Sequence, residues 1–153
     1  MYPKQHFFIG LAFSLLLFLV LPSIGLLGII TITLSSVLID ADHYLYYIYK
    51  KKDPSLKNSY YWFRENIKKV LALPEKQRLK FYHGLYIFHG LEILLMLLIL
   101  SIFVSKHFLF ILTGFNLHLF LDLLTDYKNY TKSYKYSIFV NLVYSKKLKH
   151  FKE

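Results

Sequence analysis

Two apolar runs, residues 7–21 and 23–39, are separated only by Pro22, and neither carries a charged side chain. Crossing a hydrocarbon core of about 30 Å takes roughly 20 helical residues, and backbone in lipid must satisfy its own hydrogen bonds. Each run is therefore expected to be a transmembrane helix, with Pro22 and Gly25 turning the chain back. Two further runs follow: residues 85–104, interrupted by His89 and Glu92, and residues 107–124, interrupted by His118 and Asp122. Only Ser105 and Lys106 link them. The expected fold class is all-α, an integral membrane four-helix bundle forming a single membrane domain, with spans at about 5–21, 23–43, 83–104 and 107–125. No small-x-small cleavage site follows the first run, so it is expected to be a span and not a signal peptide.

Composition agrees. Of 153 residues, 56% are hydrophobic and 19% aromatic. Mean hydropathy is +0.40, above the range usual for water-soluble domains. The net charge of +10 is unevenly placed. Residues 50–80 hold Lys50, Lys51, Lys52, Lys57, Arg64, Lys68, Lys69, Lys76, Arg78 and Lys80, ten of the nineteen basic residues. A basic tail over 128–153 holds most of the rest. By the positive-inside rule the long loop and both termini are cytoplasmic, in a multi-pass membrane protein. Topology thus accounts for the charge, and no nucleic-acid partner is expected.

Within the loop, Asp53 and Pro54 suit an N-cap and first helical position, and Leu56, Tyr60, Phe63, Ile67 and Val70 recur at helical spacing. An interfacial amphipathic helix is expected there, with Tyr61 and Trp62 at headgroup depth and lysines against the phosphates of anionic lipids. Pro74 then restarts a helix able to run into the third span. The tail segment 134–148 mixes aromatic and basic residues and suggests a second interfacial element.

Ionisable groups inside apolar spans are costly and mark function by default. Here their depths agree. If the first helix starts inside, His6 lies at its inner end, the second helix returns Asp40, Asp42 and His43 to that side, the third leaves with His89 and Glu92, and the fourth returns with His118 and Asp122. Helical spacing groups Asp40 with His43, His89 with Glu92, and His118 with Asp122, each an imidazole beside a carboxylate. Asp42 points away from Asp40 on a regular helix, so it needs local unwinding or a role supporting a ligand. With no cysteine in the chain, any metal is bound by nitrogen and oxygen. His6, Asp40, Asp42, His43, His89, His118 and Asp122 are the candidate ligands for one or two divalent ions, with Zn²⁺ favoured and Mn²⁺ or Fe²⁺ also suited. His83, His107 and His150 stand alone and are expected to satisfy local neighbours. No nucleophilic serine motif, phosphate loop or nucleotide fingerprint is present.

These residues, in this order, resemble the YdjM-like membrane-bound metal-dependent hydrolases, a family in which some members are described as LexA-binding, inner-membrane-associated proteins. That family carries a histidine before its first span, a Pro-Asp-x-Asp-His motif ending a later span, a His-Arg-Gly-x-Thr-His-Ser element and a His-x-x-x-Asp-x-Leu-Thr helix. This chain has His6, then Ile39-Asp40-Ala41-Asp42-His43, then His89-Gly90, then His118 and Asp122 followed by Leu123, Leu124 and Thr125. Ile39 replaces the proline, and the third element lacks both its arginine and its Thr-His-Ser. The missing guanidinium removes the natural phosphate clamp of that element.

Two functions fit the residues. In one, a metal-dependent hydrolase attacks a phosphoester or ester, with lipid the substrate at hand at the cytoplasmic face; Glu92 is the expected general base or a partner supporting a ligand, and Asp42 a second catalytic candidate. In the other, the residues form a structural metal site or polar network, and the basic loop binds lipid or a partner.

Overall fold

Pro22 cannot donate a backbone hydrogen bond, and Gly25 takes the left-handed conformation (φ 59°) that side chains disfavour. Together they end one helix and start the next, as the sequence leads one to expect. The computed structural model describes residues 3–78, 80, 84, 86–129 and 136–148; His83, His150 and residues 130–135 of the tail lie outside these. Among the described residues there is no strand. The helices are α1 (Pro3–Val20), α2 (Gly25–Leu38), α3 (Ala41–Lys51), α4 (Leu56–Leu71), α5 (Glu75–Arg78), α6 (Leu91–Phe103), α7 (His107–Asn129) and α8 (Ile138–Lys147), with a 3-10 turn at Pro22–Ile24.

The segments Pro3–Val20, Pro22–Lys51 and His107–Asn129 are long and apolar enough to cross a membrane. The third expected span is shorter than anticipated. The helix expected to run on from Pro74 stops at Arg78, residues 86–90 form bends and turns, and α6 begins only at Leu91. Its 13 residues span about 20 Å, less than each of the three segments above. The second expected span differs too: the helix breaks at Ile39–Asp40, then resumes as α3 and continues to Lys51.

The chain divides into two compact units. The first takes residues up to Asp40 together with 91–125. Its helices pack through small residues. Ser14 and Thr33 share a hydrogen bond between hydroxyls (3.0 Å), and Ser36 Oγ donates to the His6 carbonyl across the α1–α2 contact (3.3 Å). A Cβ on Gly10 would strike Ser36 Oγ, and one on Gly114 of α7 would strike Ser35 Oγ and the Ile32 carbonyl oxygen. Without a hydrophobic drive between helices in lipid, such close approaches are what hold them together. Phe8, Leu16, Leu19, Leu26 and Leu27 face outward and are exposed.

The second unit takes residues 41–90 and those from Asp126 onward. Here hydrogen bonds to turns dominate. The expected cap of α4 shifts by two residues: Ser55, not Asp53, is the N-cap, its Oγ accepting from Asn58 N (3.2 Å). Asp53 instead knots the α3–α4 link, accepting from Tyr47 OH (2.6 Å), Asn58 Nδ2 (2.9 Å) and Ser55 N (2.9 Å). Trp62, read from sequence as a headgroup anchor, is half-buried, with its ring 5.8 Å from that of Tyr47. Fully buried Asn141 of α8 donates to the Gly84 carbonyl (3.3 Å), and Tyr144 and Leu148 pack on Tyr86.

Candidate metal centre

Three helices of the first unit bring a cluster together. α1 supplies His6 from its first turns, and α7 supplies His118 and Asp122 from one face, four residues apart. The break after α2 supplies Asp40. Asp40 Oδ1 lies 3.4 Å from His118 Nε2. Asp122 reaches both imidazoles: Oδ1 is 3.3 Å from His6 Nε2 and Oδ2 is 3.5 Å from His118 Nε2. The two rings stack at 3.8 Å with an interplanar angle of 18°. Both histidines are fully buried, and the Asp40 side chain keeps 17% exposure.

The protonation pattern follows from one contact. His118 Nδ1 lies 2.8 Å from the Ser36 carbonyl, which only accepts, so Nδ1 carries a proton. In the neutral ring, Nε2 then presents a lone pair to Asp40 and Asp122, which are themselves acceptors when ionised. Neither nitrogen of buried His6 makes a hydrogen bond. A lone pair facing two carboxylates is repulsive unless a cation lies between them.

The distances say which kind of cation. A charge-assisted hydrogen bond closes to about 2.7–2.9 Å. Ligands held tetrahedrally at about 2.0–2.2 Å from one ion sit roughly 3.3–3.5 Å from each other, and the separations in the cluster are 3.3, 3.4 and 3.5 Å. His6, His118 and Asp122 each direct one ligand atom into a group whose members lie within 4.8 Å of one another. His6, His118 and Asp122 fit a divalent metal bound by nitrogen and oxygen, with Asp40 beside His118.

Residues 1–129 match the family described as YdjM inner membrane protein. The chain belongs to the YdjM inner membrane protein family. Comparison with curated proteins and with solved structures gives no match. The family's description agrees with the three candidate spans, so the chain is an inner membrane protein.

Asp42, His43 and His89 lie in the second unit. Asp42, 2% exposed, accepts from His43 Nδ1 through Oδ1 (2.6 Å) and from His89 Nδ1 and Phe88 N through Oδ2 (3.0 and 3.1 Å). Both imidazoles thus turn Nδ1 to the carboxylate. The His43 and His89 rings stack at 5.1 Å, edged by Tyr86 and Phe63. Asp42 therefore bridges the two imidazoles through its two carboxylate oxygens.

The pairing of His89 with Glu92 on a helix face does not survive, because His89 lies in a turn before α6 and Glu92 in the first turn of α6, half-buried. His107 is exposed beside Phe110, as its isolation suggests. Sequence reasoning missed Gly10, Ser14, Thr33, Ser36 and Gly114, the residues that let α1, α2 and α7 approach. Their signal was small side chains at helical spacing within apolar spans.

Proposed function

We propose that this chain is a membrane-embedded metal-dependent hydrolase acting on a phosphoester or acyl ester at the cytoplasmic leaflet. The observation that carries the proposal is the His6, Asp40, His118 and Asp122 cluster, with imidazole lone pairs set against carboxylate oxygens at metal-bridging separations. A divalent cation held there, Zn²⁺ before Mn²⁺ or Fe²⁺, supplies charge that acidifies water and polarises the ester.

The chain's own residues do the rest. The Ser36 carbonyl fixes the His118 tautomer so that Nε2 is the ligating atom. Asp122 spans both imidazoles and keeps their rings stacked. Asp42 orients His43 and His89, which supply the nitrogens for a second ion if the enzyme uses two. Glu92 is assigned the general base, taking the proton of the attacking water on a carboxylate oxygen. In this reading the bundle has four crossings with α6 among them, both termini are cytoplasmic, α4 lies along the interface, and the basic stretch 50–80 meets anionic headgroups.

A second reading has one observation in its favour: His6 and His118 are fully buried, as in a closed structural site. It makes the protein a non-catalytic membrane component with a metal or polar network locking its helices. Elemental analysis of detergent-purified protein comes first, with near-stoichiometric metal expected and its loss expected in His118→Ala and Asp40→Ala. Unchanged metal content in both variants removes the enzyme and the structural metal site, and leaves the polar network. Hydrolysis of phospholipid and phosphoester substrates, abolished by chelator and restored by metal, selects the enzyme; bound metal without turnover on any such substrate selects the structural site.

A further inference from the structure

The chain has two arginines, Arg64 and Arg78. Arg78 is committed to the backbone, its guanidinium nitrogens donating to the carbonyls of Leu73 (2.8 Å), Asn129 (3.0 Å) and Leu71 (2.9 Å). Arg64 is not. It sits at the centre of α4, half-buried, and its Nε is shielded from solvent without a hydrogen-bond acceptor. A shielded guanidinium N–H normally has an acceptor, and a planar guanidinium is suited to a phosphate or carboxylate.

The face on which Arg64 lies says which acceptor. One side of α4 is turned inward: Ser59, Asn66 and Val70 are buried, and the Phe63 ring lies 5.3 Å from that of His43. The outer side carries two adjoining stripes. Leu56, Tyr60 and Ile67, spaced by four and seven residues, are all exposed and make an apolar stripe. Lys57, Arg64 and Lys68, spaced by seven and four, make a basic stripe beside it. Glu65, the one acidic residue of α4, is exposed and paired with Lys68 (2.7 Å), which holds its carboxyl below the ordinary range. In water the apolar stripe gains nothing from exposure. At a leaflet, it enters the acyl boundary while the basic stripe meets phosphates. The helix starts at Leu56, a short link after Lys51 ends a candidate span, so it begins close to the membrane boundary.

We propose that α4 is a binding site for an anionic phospholipid, with the headgroup phosphate held by the Arg64 guanidinium, Lys57 beside it, and the acyl chain along Leu56, Tyr60 and Ile67. It rests on the membrane reading above and is independent of the metal cluster.

Trp62, the single tryptophan, lies within α4 and reports on the lipid next to it. The full chain is reconstituted in vesicles mixing phosphatidylcholine with phosphatidylglycerol, and Trp62 fluorescence is quenched by brominated acyl chains on one lipid or the other. Wild type is expected to prefer phosphatidylglycerol by about fivefold, the preference set by roughly one extra surface cation contact. Arg64→Gln should bring the preference close to unity, Arg64→Lys should retain part of it, and Lys57→Gln should lower it less than Arg64→Gln does. Equal quenching by the two lipids in wild type, or an undiminished preference in Arg64→Gln, overturns the assignment. So does erasure of the preference by millimolar inorganic phosphate, which would make the site one for free phosphate. Metal content measured on the same samples is expected to be unchanged in Arg64→Gln, so failure of this site and failure of the metal reading are told apart. Should Arg64→Gln not fold, the Arg64→Lys and Lys57→Gln variants decide the matter by the same readout.

Discussion

Each unit of the molecule holds two histidines around a buried aspartate, and the two aspartates are used differently. Around Asp122 the contacts are 3.3 and 3.5 Å to Nε2 atoms, with the His118 tautomer set elsewhere, by the Ser36 carbonyl. Around Asp42 they are 2.6 and 3.0 Å, to the Nδ1 atoms. The same chemical pair thus reads as carboxylate acting as ligand in the first unit and carboxylate orienting ligands in the second. The difference comes from which ring nitrogen faces the acid, and that depends on backbone: regular helices present His6, His118 and Asp122, whereas a turn presents His89.

The largest effect that would break this contrast is Asp122→Asn. An amide in place of the carboxylate removes the charge shared by both imidazoles, so metal bound in the cluster is expected to fall from near-stoichiometric to background by elemental analysis. Retained metal would show that Asp122 is no ligand. Asp42→Asn tests the other half. Its amide nitrogen cannot accept from imidazole, so His43 and His89 lose their support, and hydrolysis is expected to drop about 10–100-fold, the usual cost of removing an orienting partner, while metal in the His118 cluster stays.

The scaffolds under the two groups differ as well, and smaller effects sharpen that. A Cβ at Gly114 meets backbone that cannot step aside, the Ile32 oxygen at 2.5 Å and the Ser36 nitrogen at 2.9 Å. Gly114→Ala is expected to cost about 1–3 kcal/mol in a detergent unfolding titration, and Gly10→Ala less, because its nearest neighbour is the Ser36 side chain, which can rotate. In the second unit the Asp53 knot gives a pH effect. The Tyr47 hydroxyl first, then the Asn58 amide and the Ser55 N–H, hold the Asp53 carboxyl below its ordinary 3.8. With the folded pKa depressed, the stabilisation is complete above the unfolded value and is lost as pH falls through the folded one. Thermal unfolding followed below pH 4 should therefore show an acid limb in wild type that is shallower in Asp53→Asn; identical limbs would remove the knot from the stability of this unit.

Much of the first unit was legible in sequence. The charge-free runs with Pro22 and Gly25 between them specify α1 and α2, and the spacing of His118 and Asp122 survives unchanged in α7, because a long apolar helix has no competing conformation in lipid. Asp40 was legible as a site residue, whereas its approach to His118 was not, because periodicity along one helix says nothing of which other helix a residue meets. His89 and Glu92 were paired on a helix that begins only after His89, since apolar periodicity marks a run without marking its cap. Asp53 was misread as a cap because Asp53-Pro54 suits one as well as Ser55 does, and the hydroxyl of Tyr47 that settles its role is a tertiary contact. The small residues between helices carry little hydropathy signal, so they were passed over although they bring the ligands within reach.

X-ray absorption fine structure on zinc-reconstituted protein tests the metal cluster most directly. The account predicts a first shell of nitrogen and oxygen at about 2.0–2.2 Å with outer-shell scattering from imidazole, reduced in both His6→Ala and His118→Ala. A shell of oxygens alone, or imidazole scattering identical in wild type and both variants, would contradict it.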